Sequence, residues 1–361
     1  MTTNRRTATQ GIPGAAGPDA APAPTARASA PPAPFRVVWD DFSRGLRTEG
    51  PDAKWVHLPF GPTTGRDGVI TTSPRGLRVR SSGTDPATGE PAFTATVAQD
   101  DPGGFPGTLD HVKWLVYANR TSSGGTLGFD TGPGYELSCE TNLSGRTYGV
   151  GRHPFGARVP NAEDDPRLAS AALAMQDLAT DVAFEFALTN ESVYAYYERL
   201  PNSRGALGNY ASFLYAIPVG RRSPDQTHHL RLAHDHSRGL VRWFLDGREV
   251  FRLDRIGHHL PPALRRHLVQ DHGGVEETVR PDQLAVGMGL FNFLDGAAPG
   301  RPGSGLVRLS TATDYYYDPV TGPPTPLTFA DDRSLEANRL FGQGASLRMD
   351  RLVVAHRPAA W

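Results

Sequence analysis

The segment ELSCE, from Glu136 to Glu140, carries two carboxylates at a spacing that can support acid/base chemistry. Successive side chains of a β-strand point to opposite faces, so Glu136, Ser138, Glu140 and Asn142 share one face of the strand predicted here. Retaining glycoside hydrolysis needs two carboxyl groups about 5 to 5.5 Å apart. Cα atoms four residues apart in a strand are separated by about 13 Å, so the side chains must lean together. The alternative is a solvated strand face with two ordinary glutamates.

A second polar group lies in the segment VYAYYER, where Tyr194, Tyr196 and Glu198 alternate onto one face of a predicted strand. Ring faces combined with a few polar groups hold sugars and other small ligands in many binding sites. Trp114, on another predicted strand, is a further ring that such a site can use. The alternative for each ring is the half-buried face of a β-sandwich.

Histidines cluster in the segment HHLRLAHDH, where His228, His234 and His236 share a face by strand parity. A His-x-His pair can bind a metal ion. The sequence offers no third ligand at a motif spacing, so we predict neither a metal site nor another cofactor. It also lacks a P-loop, a dinucleotide-binding fingerprint after a strand, G-x-S-x-G and H-E-x-x-H.

The elements that must position these residues are mostly strands. The segment 228–254 alternates apolar and polar residues around Asp246-Gly247, a pair typical of a type I′ hairpin turn. Two short helices are predicted, one from Asp165 towards Leu178 and one from Pro261 to Leu268. Strands of this spacing imply an all-β sandwich or barrel. Further strands are predicted at 35–42, 68–83, 92–99, 111–121, 134–142, 182–200, 209–219 and 346–357.

The first strand (FRVVWDDF), ELSCE, the hairpin with WFLDG and the last strand together resemble the concanavalin A-like lectin and glucanase superfamily, in particular its laminarinase-type hydrolases. The resemblance implies one antiparallel β-sandwich (jelly roll) over residues 35–361, with the first and last strands paired. It implies that Glu136 is the nucleophile, Glu140 the acid/base and His228 a neighbour of the sugar cleft. Ser138 departs from the family pattern, which has Asp between the two glutamates and uses it to set their protonation.

The composition limits which cellular compartment and which binding partners we expect. A net charge of −1 gives no field for nucleic acid, and no window approaches the ~18 apolar residues of a membrane span. Residues 1–34 are rich in Ala and Pro and are predicted to be a disordered tail. The single cysteine, Cys139, fits a reducing cytoplasm. Arginine far outnumbers lysine, as in a high-GC genome, and the chain also resembles an actinobacterial family. The oligomeric state stays open.

Two classes of function remain. In the first, the sandwich binds a carbohydrate or another polyhydroxylated small molecule and is non-catalytic or weakly catalytic. In the second, Glu136 and Glu140 act as an acid/base pair, either in glycoside hydrolysis or in a cyclase-type reaction on a biosynthetic intermediate. A cytoplasmic location favours the biosynthetic reaction over polysaccharide cleavage. An open groove favours glycans, whereas a closed apolar cavity favours the recruited enzyme.

Overall fold

Short apolar runs between turn residues form β-strands along the computed structural model, which describes residues 33–57, 65–100, 108–298, 300–301, 303–312, 315–316 and 328–359. The predicted disordered tail, apart from residues 33 and 34, lies outside these ranges. The first strands are β1 (Phe35–Asp40), β2 (Trp55–His57), β3 (Val69–Ser73), β4 (Gly76–Arg80), β5 (Gly83–Thr84), β6 (Pro91–Ala92), β7 (Val112–Ala118), β8 (Phe129–Asp130), β9 (Tyr135–Tyr148), β10 (Ser170–Asp177) and β11 (Val182–Leu188).

The second half of the chain continues the pattern, and its helices are short. The later strands are β12 (Ser192–Arg199), β13 (Phe213–Arg221), β14 (His228–Asp235), β15 (Leu240–Leu245), β16 (Arg248–Leu253), β17 (Leu268–Asp271), β18 (Gln283–Phe291), β19 (Ser304–Val307), β20 (Thr328–Asp331), β21 (Gly344–Met349) and β22 (Leu352–Pro358). Single-turn α-helices are α1 (Thr108–His111), α2 (Arg204–Leu207) and α3 (Glu336–Arg339). The 3-10 helices are Val150–Arg152, Gly156–Arg158, Ala162–Asp164 and Pro262–His267.

Two antiparallel sheets contain most of these strands and pack against each other as a jelly-roll sandwich. The β9 sheet has the order β16-β15-β14-β9-β21-β4-β3, and β22 joins it beside β9 and pairs with β1. The β12 sheet has the order β17-β13-β12-β11-β10-β18-β7-β2, with β8 beside β18. The fourteen residues of β9 pair with β14 along one edge and with β22 and then β21 along the other. The predicted all-β antiparallel sandwich is confirmed.

The inward faces of the two sheets share one apolar core. Leu137 and Cys139 point into it from β9, and Phe184 points into it from β11. Trp243 of β15 crosses the core, because its ring meets Phe184 edge-on with centroids 5.9 Å apart. Its Nε1 donates a hydrogen bond to the backbone oxygen of Glu185 at 2.8 Å. Trp243 therefore ties the β9 sheet directly to the backbone of β11.

Two expected features of strand pairing are confirmed. The terminal strands pair, with Phe35 of β1 opposite His356 of β22. The turn between β15 and β16 has positive φ at both central residues, 50° at Asp246 and 81° at Gly247, as a type I′ turn requires. The predicted last strand is two strands, β21 and β22, which meet at the turn that includes Asp350.

The helix predicted after Asp165 is wrong, because Ser170–Asp177 form strand β10 in the middle of the β12 sheet. All eight residues of β10 are buried, on both faces of the sheet. A strand buried on both faces has no polar alternation, and periodicity alone cannot separate its continuous apolar run from a helix. The second predicted helix exists as the 3-10 helix Pro262–His267. Of the strand predicted at 92–99, only the end of β6 forms.

Candidate functional site

The outer face of the β12 sheet brings two glutamates together from neighbouring strands. In the β11–β12 register Glu185 stands opposite Tyr196, and Glu198 stands opposite Ala183. Glu185 and Glu198 are therefore diagonal neighbours on one face, a relation in which Cα atoms lie roughly 7 to 8 Å apart. Ala183 is the direct cross-strand neighbour of Glu198, and its small side chain leaves space beside the carboxyl groups.

A pocket opens over this face, next to the ends of β7, β12 and β18. About 550 Å³ of empty space, part of it open to solvent, lies between its walls. The walls are mainly apolar, and a few polar side chains project from them, as in many small-molecule sites. The lining residues are Leu109, His111, Val112, Leu115, Tyr117, Gln176, Glu185, Glu198, Leu200, Asn202, Phe291 and Phe293.

The two carboxyl groups are buried, Glu185 with 6% and Glu198 with 7% of its surface exposed. Burial raises the pKa of Glu185 well above its ordinary value, and the nearby charge of Glu198 raises it further. Burial also raises the pKa of Glu198, to about 7, although the charge of His111 opposes this shift. Burial therefore favours the protonated form of Glu185, while Glu198 changes between donor and acceptor near neutral pH. In the described part of the chain, Oε2 of Glu185 has no hydrogen-bond partner.

His111 enters the pocket wall at the end of α1, where Asp295 fixes it. Its Nε2 lies 2.7 Å from Oδ1 of Asp295, and that carboxylate also accepts hydrogen bonds from Nε2 of Gln270 at 2.7 Å and from the hydroxyl of Tyr316 at 3.1 Å. Burial alone lowers the pKa of His111, but the charge and hydrogen bond of Asp295 outweigh it, so the net shift is upward. Nε2 of His111 is thus occupied by Asp295, while the ring lies near Glu198.

The glutamates predicted to be catalytic lie on the outer face of the β9 sheet, across the core from this pocket. The two carboxylate oxygens of Glu136 form ion pairs with Arg231 and Arg242. Oε1 of Glu140 accepts a hydrogen bond from Nη2 of Arg36 at 2.8 Å. These two glutamates therefore do not share a face with Tyr194, Tyr196 and Glu198, and they do not line the pocket. Strand parity was right that Glu136 and Glu140 share a face, but that face is covered by arginines from β1, β14 and β15.

The predicted group Tyr194, Tyr196 and Glu198 does share the pocket face. Glu198 lines the pocket, whereas Tyr194 and Tyr196 extend along β12 away from it. The hydroxyl of Tyr194 donates to the backbone oxygen of Asp164 at 2.9 Å. The ring of Tyr196 packs on Phe293, with centroids 5.5 Å apart. Tyr196 thus supports the wall of the pocket at Phe293, and Tyr194 is held by Asp164.

The remaining predicted ligand-binding residues lie away from the pocket. Ser138 and Asn142 are on the outer face of β9, and Nδ2 of Asn142 donates to Oδ2 of Asp350 at 2.8 Å. Trp114 is fully buried in the core between the sheets. Nδ1 of His228 pairs with Oδ2 of Asp246 at 2.8 Å and so anchors the hairpin turn. None of these four residues lines the pocket of the β12 sheet, and their role in ligand binding stays a prediction.

The prediction from sequence missed Glu185 and His111, although Glu185 carries a signal. It is the one charged residue in the apolar strand VAFEFAL, between Phe184 and Phe186. The parity that groups Tyr194 with Glu198 applies equally to β11, and it places Glu185 and Phe184 on opposite faces of that strand. No local pattern in the sequence indicates His111, because its partner Asp295, and Gln270 which also bonds to Asp295, come from distant segments.

Three further observations concern metal binding, membrane spans and the cysteine. Within the described ranges, no group of three or more His, Cys, Asp or Glu side chains is arranged to hold a metal ion, and no helix is long and apolar enough to cross a membrane. Cys139 is buried in the core, and burial raises the pKa of its thiol to about 12. A thiol that stays protonated in an apolar core is not a nucleophile at neutral pH.

Sequence comparisons relate the chain to proteins without a stated activity. The model of a family described as a family of unknown function (DUF6081) matches residues 39–358. An uncharacterized protein of Acanthamoeba polyphaga mimivirus is 29% identical over 400 aligned residues, which cover 84% of this chain and 85% of the viral protein. The similarity therefore extends over nearly the whole sandwich.

Solved structures similar to this chain include carbohydrate-active enzymes, at low scores. Alginate lyase A1-II′, of polysaccharide lyase family 7, is 8% identical with a TM-score of 0.36, over 80% of this chain and 84% of the lyase. The endo-1,3-β-glucanase of Streptomyces sioyaensis is 12% identical with a TM-score of 0.32, over 86% and 99%. The β-glucanase of Bacillus licheniformis is 10% identical with a TM-score of 0.36, over 91% and 99%. Scores this low support no transfer of a ligand or a reaction to this chain.

Proposed function

This chain belongs to the family of unknown function DUF6081, and we propose that it binds a carbohydrate or a similar polyhydroxylated small molecule in the pocket of the β12 sheet. The observation that carries the proposal is the carboxyl pair. Glu185 and Glu198 are buried in one pocket, and Oε2 of Glu185 has no hydrogen-bond partner in the described part of the chain. An unsatisfied buried polar atom costs about 1–3 kcal/mol. A ligand hydroxyl at that oxygen removes this cost.

The walls of the pocket complement a hydroxylated ring. Each hydroxyl can donate one hydrogen bond and accept up to two. Burial favours the protonated, donating form of Glu185, and Glu198 is a donor or an acceptor near neutral pH. The apolar surfaces of Leu115, Phe291 and Phe293 match the C–H faces of a sugar ring. The pocket therefore offers both kinds of contact that sugar recognition requires.

The test compares three isosteric variants against a panel of mono- and oligosaccharides by isothermal titration calorimetry. We expect Glu185→Gln and Glu198→Gln each to weaken binding about tenfold or more, equal to about 1.4 kcal/mol. The matched control is Glu140→Gln on the other outer face, which leaves affinity unchanged. Loss of binding in Glu140→Gln, with normal binding in the two pocket variants, would place the site on the β9 sheet and refute the proposal.

A second candidate function, acid/base catalysis by the same pair, is favoured by one observation. Burial raises the pKa of both glutamates, that of Glu198 to about 7, and the charge of Glu198 raises the pKa of Glu185 further. Two carboxyl groups with separated pKa values can divide the roles of base and acid. Any turnover should then follow an ionisation near pH 7 and be abolished by Glu185→Gln or Glu198→Gln. Turnover that survives both substitutions would exclude this chemistry.

A further inference from the structure

The charge of the pocket is unbalanced. Of the described residues that line it, none is Lys or Arg. The one basic side chain, His111, has its Nε2 committed to Asp295 at 2.7 Å. That pair is neutral as a unit, so the charge of His111 offsets that of Glu198 only in part, and Glu185 has no cation of its own among the described lining residues. The outer face of the β9 sheet differs, since Glu136 there has two arginine partners.

The groups that surround the carboxyl pair come from several elements, and none of them corrects this imbalance. The hydroxyl of Tyr117 of β7 donates a hydrogen bond to Gln176 of β10. Both side chains are neutral, and each is the other's hydrogen-bond partner. Asp181, in the turn before β11, adds negative charge near Glu198. Asn202, after β12, is neutral. When Glu198 ionises, the pocket is therefore net negative in a buried setting, which is costly without a counter-charge.

We propose that the ligand carries a basic nitrogen, as in an amino sugar or another hydroxylated amine, and that its ammonium group binds between Glu185 and Glu198; this rests on the proposed function. An ammonium has three N–H donors and no acceptor, so it can satisfy both carboxyl groups, including the unpartnered Oε2 of Glu185. Phe291 and Phe293 supply aromatic surface close by, which attracts cations. Sugar acids are disfavoured, because their carboxylates would face Glu198.

The experiment uses the full chain and matched pairs of probes that differ mainly by a nitrogen in place of an oxygen. The pairs are D-glucosamine with D-glucose, D-galactosamine with D-galactose, and benzylamine with benzyl alcohol, and D-glucuronate is the anionic control. Affinities are measured by calorimetry at pH 7. We expect the amine of a pair to bind at least about tenfold more tightly than its alcohol, and D-glucuronate not to bind. The preference should vanish in the double variant Glu185→Gln/Glu198→Gln and persist in Glu140→Gln.

Proton release gives a second measurement on the unmodified protein. An ammonium beside Glu198 favours the ionised carboxyl. Benzylamine is already fully protonated at pH 7, so its binding should release protons from the carboxyl pair, detected as a heat that changes with the ionisation enthalpy of the buffer. Binding without proton release would overturn the inference, and so would an amine preference that survives the double variant. If alcohols bind as tightly as amines, the inference fails while the proposed function stands. If no amine binds, the inference fails, and the saccharide panel decides the proposed function separately.

Discussion

The two outer faces of the sandwich each carry a pair of glutamates, and the two pairs are in opposite situations. On the β9 sheet, Glu136 and Glu140 are held by arginines from flanking strands. On the β12 sheet, Glu185 and Glu198 are buried in a pocket whose lining has no arginine or lysine in the described structure. The spacing within one strand therefore says little about the chemistry of a carboxylate. The residues across the neighbouring strands decide whether it is neutralised or left available to a ligand.

The largest effect is expected at Trp243, which connects the two sheets behind the faces being compared. Trp243→Ala removes a fully buried ring and should lower the free energy of unfolding by about 3–5 kcal/mol. Trp243→Phe retains most of the ring but loses the hydrogen bond to the backbone oxygen of Glu185, and should cost less. Urea unfolding followed by circular dichroism measures both. A loss below about 1 kcal/mol for Trp243→Ala would contradict the expectation that the contacts of this ring stabilise the packing of the two sheets.

The next largest effect is the pH dependence caused by the pocket glutamates. The folded-state pKa of Glu198, about 7, lies above its value in the unfolded chain, so its contribution to stability is complete below about pH 4.5 and is lost as the pH rises through 7. A shift of this size is on the order of 3 kcal/mol. Between pH 5 and pH 8, Glu198→Gln should therefore lose less stability than the unmodified protein, as should Glu185→Gln.

The control for this prediction lies on the opposite face. Glu140→Gln should have the same loss of stability between pH 5 and pH 8 as the unmodified protein, because it leaves both pocket glutamates, across the core, unchanged. His111, whose folded-state pKa is also raised, loses stability in the same direction as the pH rises. The difference between variant and parent, measured by chemical unfolding at each pH, isolates the glutamate. An unchanged pH profile in both pocket variants would contradict their buried ionisation.

The same comparison shows how far the sequence predicts this protein. Alternation and turn residues predict the sandwich, the hairpin at Asp246 and the pairing of β1 with β22, because these depend on local patterns and on one resemblance. Parity also groups Tyr194 with Glu198 correctly. Parity does not say which outer face is covered by arginines and which carries a pocket. The pocket over Glu185 depends on segments far apart in sequence, such as those of His111 and Asp295, and no local pattern predicts that they meet.

A smaller effect is expected at Glu136, where one carboxylate lies between two guanidinium groups and pairs with both. Glu136→Gln leaves Arg231 and Arg242 side by side, with 29% and 25% of their side chains exposed. The expected cost is about 1 kcal/mol at low salt, because the like charges then repel. It should shrink at 0.5 M NaCl, where screening acts within a few ångströms. Combining Glu136→Gln with Arg231→Gln should restore part of the loss, and a cost independent of salt would show that packing, not charge, is responsible.

The smallest effect is expected at Glu140, one of the two glutamates that their spacing in ELSCE made catalytic candidates. The ion pair of Arg36 with Glu140 joins side chains that are 48% and 26% exposed, and pairs of this kind contribute about 0.2–1 kcal/mol. A double-mutant cycle of Arg36→Ala with Glu140→Gln should give a coupling energy in the lower half of that range. Affinity in the pocket should not change, since the two residues lie across the core from it. A coupling energy well above 1 kcal/mol, or an altered ligand affinity, would mean that the β9 face does more than neutralise its own charges.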